Sequence, residues 1–188
     1  MARVWDTDSP NTVWTDGSRP DSGDMGAACA SSSAGEWVGQ VFYLGHNKEV
    51  FDAETFAIYQ ALRILDRQQA TGQQYTIFSD SQAAIQRIRT DMLGSDQQWA
   101  RAAMEVHARL TARGNEVTIR WVPAHSGVMG NEMADGFARE AAGSRRSQQH
   151  RVPDGLLQEA SLSHLARVAT ENRSRVTARW ISDHVRPE

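Results

Sequence analysis

Four carboxylates stand at positions in this sequence where they could do chemistry together. Asp16 closes a predicted strand, and Glu54 lies in the first turn of a predicted helix. Asp80 follows a later strand, and Asp135 lies in the last helix of the predicted core. Neighbouring strands are about 4.8 Å apart, so strand ends and first helical turns at one sheet edge can bring such side chains together.

Carboxylates that meet without a cation raise one another's pKa. Hard divalent cations such as Mg²⁺ remove that repulsion, because they prefer oxygen ligands. Two ions about 4 Å apart can activate water on one side of a phosphodiester and stabilise the leaving oxygen on the other. The placement of the four acids therefore predicts a divalent-metal site.

Each acid also has a purely structural interpretation. Asp16 before Gly17 is typical of a turn, and Glu54 would interact favourably with the helix dipole. Asp80 could cap the helix that follows it, and Asp135 could be a solvated residue on a helix surface. Only the order and context of all four favour a shared site.

The elements that position these acids follow from the periodicity of the apolar residues. Strands are predicted at residues 12–16, 25–33, 36–44, 75–79 and 116–122, with a turn at Gly17-Ser18. Helices are predicted from Asp52, the expected N-cap, to about residue 70, and at 81–89, 96–113 and 131–142. This order predicts an α/β fold with a five-stranded mixed sheet flanked by helices, its first three strands an antiparallel meander.

Composition sets further bounds. The chain has 188 residues, a formal net charge of −3 and 40% hydrophobic residues, which suits one packed domain with an appendage. Cys29 is the only cysteine, so neither an internal disulfide nor a cysteine-based zinc site is possible. The N-terminus lacks the pattern of a secretory signal, and no apolar run approaches the roughly 20 residues of a membrane span. An intracellular protein without a membrane partner is expected, with nucleus and cytoplasm both open.

The end of the chain differs in composition from the rest. Residues 11–143 form the predicted domain, 144–155 have the composition of a linker, and 156–188 are predicted to be a helical C-terminal extension. The arginines from residue 144 onwards could hold phosphates or dock a polymerase domain; they are Arg145, Arg146, Arg151, Arg167, Arg173, Arg175 and Arg179. An amphipathic helix with solvated arginines is the favoured interpretation.

Five motifs in this order resemble the type 1 ribonuclease H family. They are TDGS at 15–18, AETFA at 53–57, SDSQAA at 79–84, WVPAHSG at 121–127 and NEMAD at 131–135. The last two are close to the retroviral version. VFDAE at 50–54, the PAHSG loop and the arginine-rich tail look more like the domain carried by non-LTR retrotransposon polyproteins. The resemblance covers about residues 11–143.

The resemblance implies the ribonuclease H-like fold and an endonuclease that cuts the RNA strand of RNA–DNA hybrids, leaving 5′-phosphate and 3′-hydroxyl ends. Asp16, Glu54, Asp80 and Asp135 match the family's ligands for two Mg²⁺ ions, with Asp16 bridging both and Mn²⁺ a substitute. His125 matches a mobile histidine that assists proton transfer or product release. Candidate contacts to the hybrid are Ser18, Ser81 and Asn131, and a reverse transcriptase domain is a candidate partner.

The chain departs from the family pattern at two places. Well-known members carry a run such as Thr-Asn-Asn before the catalytic glutamate, where this chain has Glu49-Val50-Phe51-Asp52. The segment MLGSDQQW at 92–99 contains no lysine or arginine, so the basic protrusion of some cellular members is missing. Both departures predict modest affinity for a hybrid in isolation.

Two other functions remain open from the sequence. One is a non-catalytic hybrid-binding or scaffold domain of a retroelement polyprotein. The other is a DNA-processing relative, such as an integrase or a Holliday-junction resolvase, although the SDSQ and HSG-to-NEMAD motifs do not fit those families. Whether the chain acts alone or is excised from a polyprotein, its cut-site preference and its oligomeric state are not decided by the sequence.

Overall fold

A mixed β-sheet organises the structure, a computed structural model that describes residues 9–33, 35–46, 50–89, 98–143 and 158–159. The strands run in the spatial order β5-β4-β1-β2-β3-β6. β2 pairs antiparallel with β1 and with β3, whereas β4 is parallel to both β1 and β5. The strands are β1 (Thr12–Ser18), β2 (Asp24–Ser33), β3 (Glu36–His46), β4 (Gln74–Ser79), β5 (Glu116–Trp121) and β6 (Gln158–Glu159). The helices are α1 (Val50–Arg67), α2 (Gln82–Arg89), α3 (Gln98–Ala112) and α4 (Met129–Gly143).

The predicted five-stranded mixed sheet with flanking helices is confirmed, and three details differ. Gly17 and Ser18 are not a turn but continue β1, because they pair with Ala27 and Gly26 of β2. Asp52 is not the N-cap of α1, since helical structure begins two residues earlier at Val50. Asp52 instead lies in the first turn, where an acid interacts favourably with the helix dipole.

The third difference concerns the predicted helical extension. Gln158 and Glu159 form a two-residue strand that pairs antiparallel with Val41 and Gln40 at the edge of β3. Backbone pairing with an edge strand therefore replaces the predicted helix at these two positions. The predicted linker and the rest of the extension lie outside the described residues.

The two faces of the sheet are covered by different helices. Val13 and Ile77 belong to a buried cluster with side chains of α1, α2 and α3. Their neighbours Trp14 and Phe78 stack at 4.3 Å in a second cluster with α4. Successive residues of a strand point to opposite faces, so the helices sandwich the sheet. Among the described residues, every helix falls short of the length and apolarity that a bilayer span requires.

One edge of this sheet gathers several chain ends. The parallel strands β1, β4 and β5 all end there, at Ser18, Ser79 and Trp121. β2 begins and β3 ends at the same edge, because Asp24 pairs with His46. The helix α1 starts four residues after His46, so its first turn is delivered to this edge as well.

Candidate metal centre

Three of the predicted acids meet at this edge. Asp16 of β1, Glu54 of α1 and Asp80 after β4 each offer a carboxylate oxygen, and these oxygens all lie within 4.8 Å of one another. The fourth acid, Asp135 of α4, lines the same open cleft of about 700 Å³. The structure therefore brings together all four acids that the sequence singled out.

Gly17 allows the close approach of α1 to β1 that brings Glu54 beside Asp16. A Cβ atom at position 17 would lie 2.7 Å from the backbone nitrogen of Glu54 and 2.9 Å from the carbonyl carbon of Ala53. Any side chain larger than hydrogen would thus push the first turn of the helix away from the strand. The Gly17 N–H also forms hydrogen bonds with both carboxylates, which offsets part of their raised pKa.

Without a cation, the cluster is electrostatically strained. Burial, followed by the neighbouring charges of Asp80 and Asp135, raises the pKa of Asp16 from 3.8 to about 8. Burial and the charge of Asp16 hold the pKa of Glu54 well above its usual range. Burial also raises the pKa of Asp135, although Arg139 and His125 oppose it.

The donor set fits hard divalent cations. Every convergent ligand atom in the Asp16, Glu54 and Asp80 group is a carboxylate oxygen, the type that Mg²⁺ and Mn²⁺ prefer. The Oε2 atom of Glu54 is buried and has no hydrogen-bond partner among the described residues. A buried carboxylate oxygen without a partner is costly. Coordination to a cation would remove that cost and the mutual repulsion together.

Asp80 is held by donors from two other elements. The Asn131 side chain in the first turn of α4 donates from Nδ2 to Oδ2 of Asp80 at 3.1 Å. The indole N–H of Trp121, at the end of β5, donates to the Asp80 backbone carbonyl at 3.0 Å. One bond fixes the carboxylate and the other fixes the main chain, so Asp80 is oriented before any ligand arrives.

The expected contacts to a hybrid fall into two groups. Ser18 and Ser81 are half-buried and line the cleft, where a ligand can reach them. The Ser81 hydroxyl also accepts a bond from the Ala84 N–H at 3.2 Å, so it caps α2. Asn131 is only 1% exposed, and burial in the first turn of α4 leaves its side chain to orient Asp80 rather than to face the cleft.

The predicted histidine lies on the outer side of the cleft. His125 is exposed, sits on the loop between β5 and α4 and has a positive φ of 49°. One of its ring nitrogens lies within 4.8 Å of carboxylate oxygens of both Glu132 and Asp135. The imidazole therefore faces solvent beside two of the acids of this region.

Two charged residues of this region were not singled out from the sequence. Arg139 donates to Asp135 at 2.9 Å and lines the cleft. Glu132 accepts a bond from the Gly127 N–H at 3.4 Å and lies beside His125. Their sequence signal is helical spacing, since Glu132 lies three residues before Asp135 and Arg139 four residues after it.

Comparison with known proteins agrees with this geometry. The sequence model of the RNase H family matches residues 8–143. RNase H1 from the halophilic archaeon Halobacterium salinarum NRC-1 has 22% identity and a TM-score of 0.51, over 69% of this chain and 95% of that one. No curated protein matches the chain significantly.

Two further solved structures have the same fold. LC11-RNase H1, solved in complex with an RNA/DNA hybrid, has 16% identity and a TM-score of 0.56, over 70% of this chain and 96% of that one. The N-terminal RNase H domain of a Mycobacterium tuberculosis protein, solved as a fusion with maltose-binding protein, has 18% identity and a TM-score of 0.55, over 70% and 98%. At these identities the likeness establishes a shared fold.

Proposed function

We propose a reaction for this chain, which belongs to the RNase H family and is a ribonuclease H. Its acidic cleft hydrolyses the RNA strand of RNA–DNA hybrids with two divalent metal ions. The observation that carries the proposal is the meeting of the Asp16, Glu54 and Asp80 oxygens within 4.8 Å. These acids come from three separate elements, each placed by the backbone at the same sheet edge. The hybrid bound by LC11-RNase H1 supports the choice of substrate.

Asp16, Glu54 and Asp80, whose carboxylate oxygens converge, and Asp135, which lines the same cleft, would hold the two ions. Bound Mg²⁺, or Mn²⁺ in its place, would supply activation of water and stabilisation of the leaving oxygen. Ionisation of the acids, whose pKa values are raised in the metal-free protein, accompanies binding of the ions.

The chain's own side chains support the reaction around this centre. Attack of water on phosphorus breaks the bond to the 3′ oxygen, which leaves a 5′-phosphate and a 3′-hydroxyl. His125, exposed on its loop, would deliver a proton to the leaving 3′ oxygen or assist release of the product. Asn131 and Trp121 keep Asp80 oriented during the hydrolysis. Ser18 and Ser81, which line the cleft, would contact the hybrid.

The wider context forms the second part of the proposal. Residues 11–143 form the ribonuclease domain, 144–155 a linker and 156–188 an arginine-rich extension. The VFDAE and PAHSG motifs support an origin as the RNase H domain of a retrotransposon reverse transcriptase, acting inside the cell. Comparing hybrid affinity at several salt concentrations with and without residues 144–188 tests the extension. An unchanged affinity and salt slope would exclude it from phosphate binding.

A metal-dependence assay tests the central claim. End-labelled hybrid, duplex DNA and duplex RNA are incubated with the protein in Mg²⁺, Mn²⁺ or EDTA. We expect cleavage of the RNA strand of the hybrid alone, only with metal, and loss of cleavage in Asp80→Asn. Several kcal/mol of transition-state stabilisation by the metal ions correspond to a rate increase of about 10³-fold or more.

The acid Asp66 provides a matched control, because it lies far along α1 from the cleft and pairs with arginines. Asp66→Asn should cleave like the wild type. Full cleavage by Asp80→Asn, or cleavage in EDTA, would refute the metal mechanism. Hybrid binding without cleavage would favour a scaffold role, and cleavage of duplex DNA would favour a DNA-processing enzyme.

A further inference from the structure

A second polar cluster lies at the same sheet edge, on the β3 side of the metal cleft. Asp24, at the start of β2, is only 5% exposed. The Tyr43 hydroxyl donates to Oδ1 of Asp24 at 2.8 Å. The Nδ1 atom of His46 lies 3.5 Å from the same oxygen, and the His46 side chain is 40% exposed. A buried acid, a phenol and an exposed imidazole thus form one unit.

The unit fixes the orientation of the imidazole. With Nδ1 turned towards the Asp24 carboxylate, the opposite nitrogen, Nε2, faces away from the buried acid. The ring also lies on Gly23, where a Cβ atom would come within 2.7 Å of Cε1. Gly23 has a φ of 77°, a conformation in which glycine carries no steric cost. Glycine therefore provides both the turn and the space for the ring.

A short structural path connects this imidazole to the cleft. The turn from Pro20 to Gly23 is closed by a hydrogen bond of 2.9 Å from the Gly23 N–H to the Pro20 carbonyl. Pro20 and Arg19 line the metal cleft, whereas Gly23 supports the His46 ring. β3 is two strands away from β1, or roughly 10 Å at normal strand spacing.

We propose that His46, which contacts the Asp24 carboxylate that Tyr43 also holds, is a substrate-binding residue that contacts a backbone oxygen of the nucleic acid outside the cleavage site. This inference rests on the proposed hybrid substrate. The contacted group is a phosphate oxygen or a ribose hydroxyl, each of which forms a hydrogen bond with an imidazole nitrogen. The contact lies outside the metal centre, so it contributes to binding rather than to the chemical step.

Binding and turnover are measured separately to test this role. Hybrid affinity is determined by fluorescence anisotropy in an Asp80→Asn background, in which the substrate should stay intact, and KM and kcat are determined with Asp80 present. His46→Ala should weaken binding and raise KM by about tenfold, the effect of losing one hydrogen bond of typical strength, with kcat within about twofold. His46→Gln, which retains an N–H group, should recover part of the affinity. His107→Ala on α3 is the matched control and should change neither constant.

Modified hybrids locate the contact and identify its chemistry. Single methylphosphonates are placed along each strand, and single 2′-deoxy residues along the RNA strand. A modification at one position should weaken binding by the wild type and leave the affinity of His46→Ala unaltered. If that modification is a methylphosphonate, the contacted group is a phosphate oxygen; if it is a 2′-deoxy residue, the contacted group is the ribose hydroxyl. The assignment would be overturned if the wild type and His46→Ala bound the hybrid with equal affinity. It would also be overturned if every modification weakened binding by the two proteins to the same extent. Failure of the wild type to cleave hybrid would refute the proposed function instead, while the binding comparison would still decide the role of His46.

Discussion

The two ends of helix α1 place an acidic side chain in opposite electrostatic environments. At its N-terminal end, Glu54 joins Asp16 in a cluster whose pKa values are raised by burial and by like charge. Asp66 lies twelve residues later, about 18 Å along the helix axis. There it accepts hydrogen bonds from Arg109 and Arg113 of the α3 end. One end is therefore left incomplete without a cation, whereas the carboxylate at the other end is paired with two arginines.

Asn115 belongs to the paired end. Its side chain accepts a bond from the Gln73 N–H at 2.9 Å and donates to the carbonyls of Ala70 and Leu110 at 3.0 and 3.1 Å. It thereby ties the chain before β4 to the end of α3. Glu54, equally buried, has an oxygen without a partner among the described residues. The contrast separates polar groups that stabilise the fold from polar groups that await a ligand.

The largest expected difference between the two ends is their response to pH. In the unfolded chain Asp16 loses its proton near pH 4, whereas in the folded protein its pKa is about 8. Between these values the folded state holds the extra proton, so the stability it contributes is full below pH 4 and is lost as the pH rises to about 8. In EDTA, we expect the free energy of unfolding to be about 1–4 kcal/mol lower at pH 8 than at pH 5.

Urea unfolding of the wild type and of Asp16→Asn at both pH values measures this effect. The variant should lose much of the pH dependence, because position 16 can no longer titrate. Mg²⁺ at pH 8 should restore stability to the wild type, since it binds the folded state. If the free energy of unfolding of Asp16→Asn changed between the two pH values as much as that of the wild type, the raised pKa of Asp16 would not control stability.

Two buried asparagines, one at each end, give the next largest effects. Asn131 bonds to the carboxylate of Asp80, so Asn131→Ala should leave a ligand free to rotate. Loss of such a supporting bond lowers metal affinity by about 10- to 100-fold. Calorimetric titration with Mn²⁺ measures this change without relying on catalysis. Affinity equal to that of the wild type would mean that Asp80 needs no support from α4.

Asn115→Ala is the reciprocal experiment at the paired end. It removes three hydrogen bonds and takes away the side-chain partner of the part-buried Gln73 N–H and Ala70 carbonyl, which should cost about 1–3 kcal/mol of unfolding free energy. The Mn²⁺ affinity of the folded variant should equal that of the wild type. A loss of metal affinity in this variant would show that the two ends are coupled and would break the comparison.

The sequence predicted the unpaired end better than the paired one. Asp16, Glu54, Asp80 and Asp135 could be found because each sits in a short motif on or beside a predicted strand or helix. The order of the five strands along the chain was also predictable, because the periodicity of apolar residues and the turn residues are local signals. Burial and pairing were not, because they depend on which distant segments meet.

Particular residues illustrate that limit. Asn131 was expected to contact a hybrid, and only the packing of α4 against the sheet reveals that its side chain reaches Asp80. The bond from Trp121 to the Asp80 carbonyl depends on the register of β5 against β4. The meeting of Asp24 with His46 depends likewise on the register of β2 against β3. Registers of this kind follow from the whole sheet rather than from a local pattern.

The smallest expected effect concerns Asp66. Its contribution to stability depends on pH in the opposite direction to that of Asp16. Burial alone would raise its pKa, but hydrogen bonds from Arg113 and Arg109 outweigh burial and lower it. Asp66 therefore contributes stability above its unfolded pKa, and this contribution is lost as the pH falls through the lower folded value. Asp66→Asn should cost about 1 kcal/mol or less at pH 7, because the pair is partly exposed, and less still in high salt.

Urea unfolding at pH 7 and at pH 3, in low and high salt, tests this prediction. The difference between Asp66→Asn and the wild type should shrink in acid and in salt, while hybrid cleavage at pH 7 stays unchanged. A cost that grows in acid would mean that the arginines do not stabilise the ionised carboxylate. Because Asp16 loses its stabilising proton as the pH rises and Asp66 loses its stabilising charge as the pH falls, the metal-free protein should be most stable near pH 4–5, and metal should move that optimum upwards.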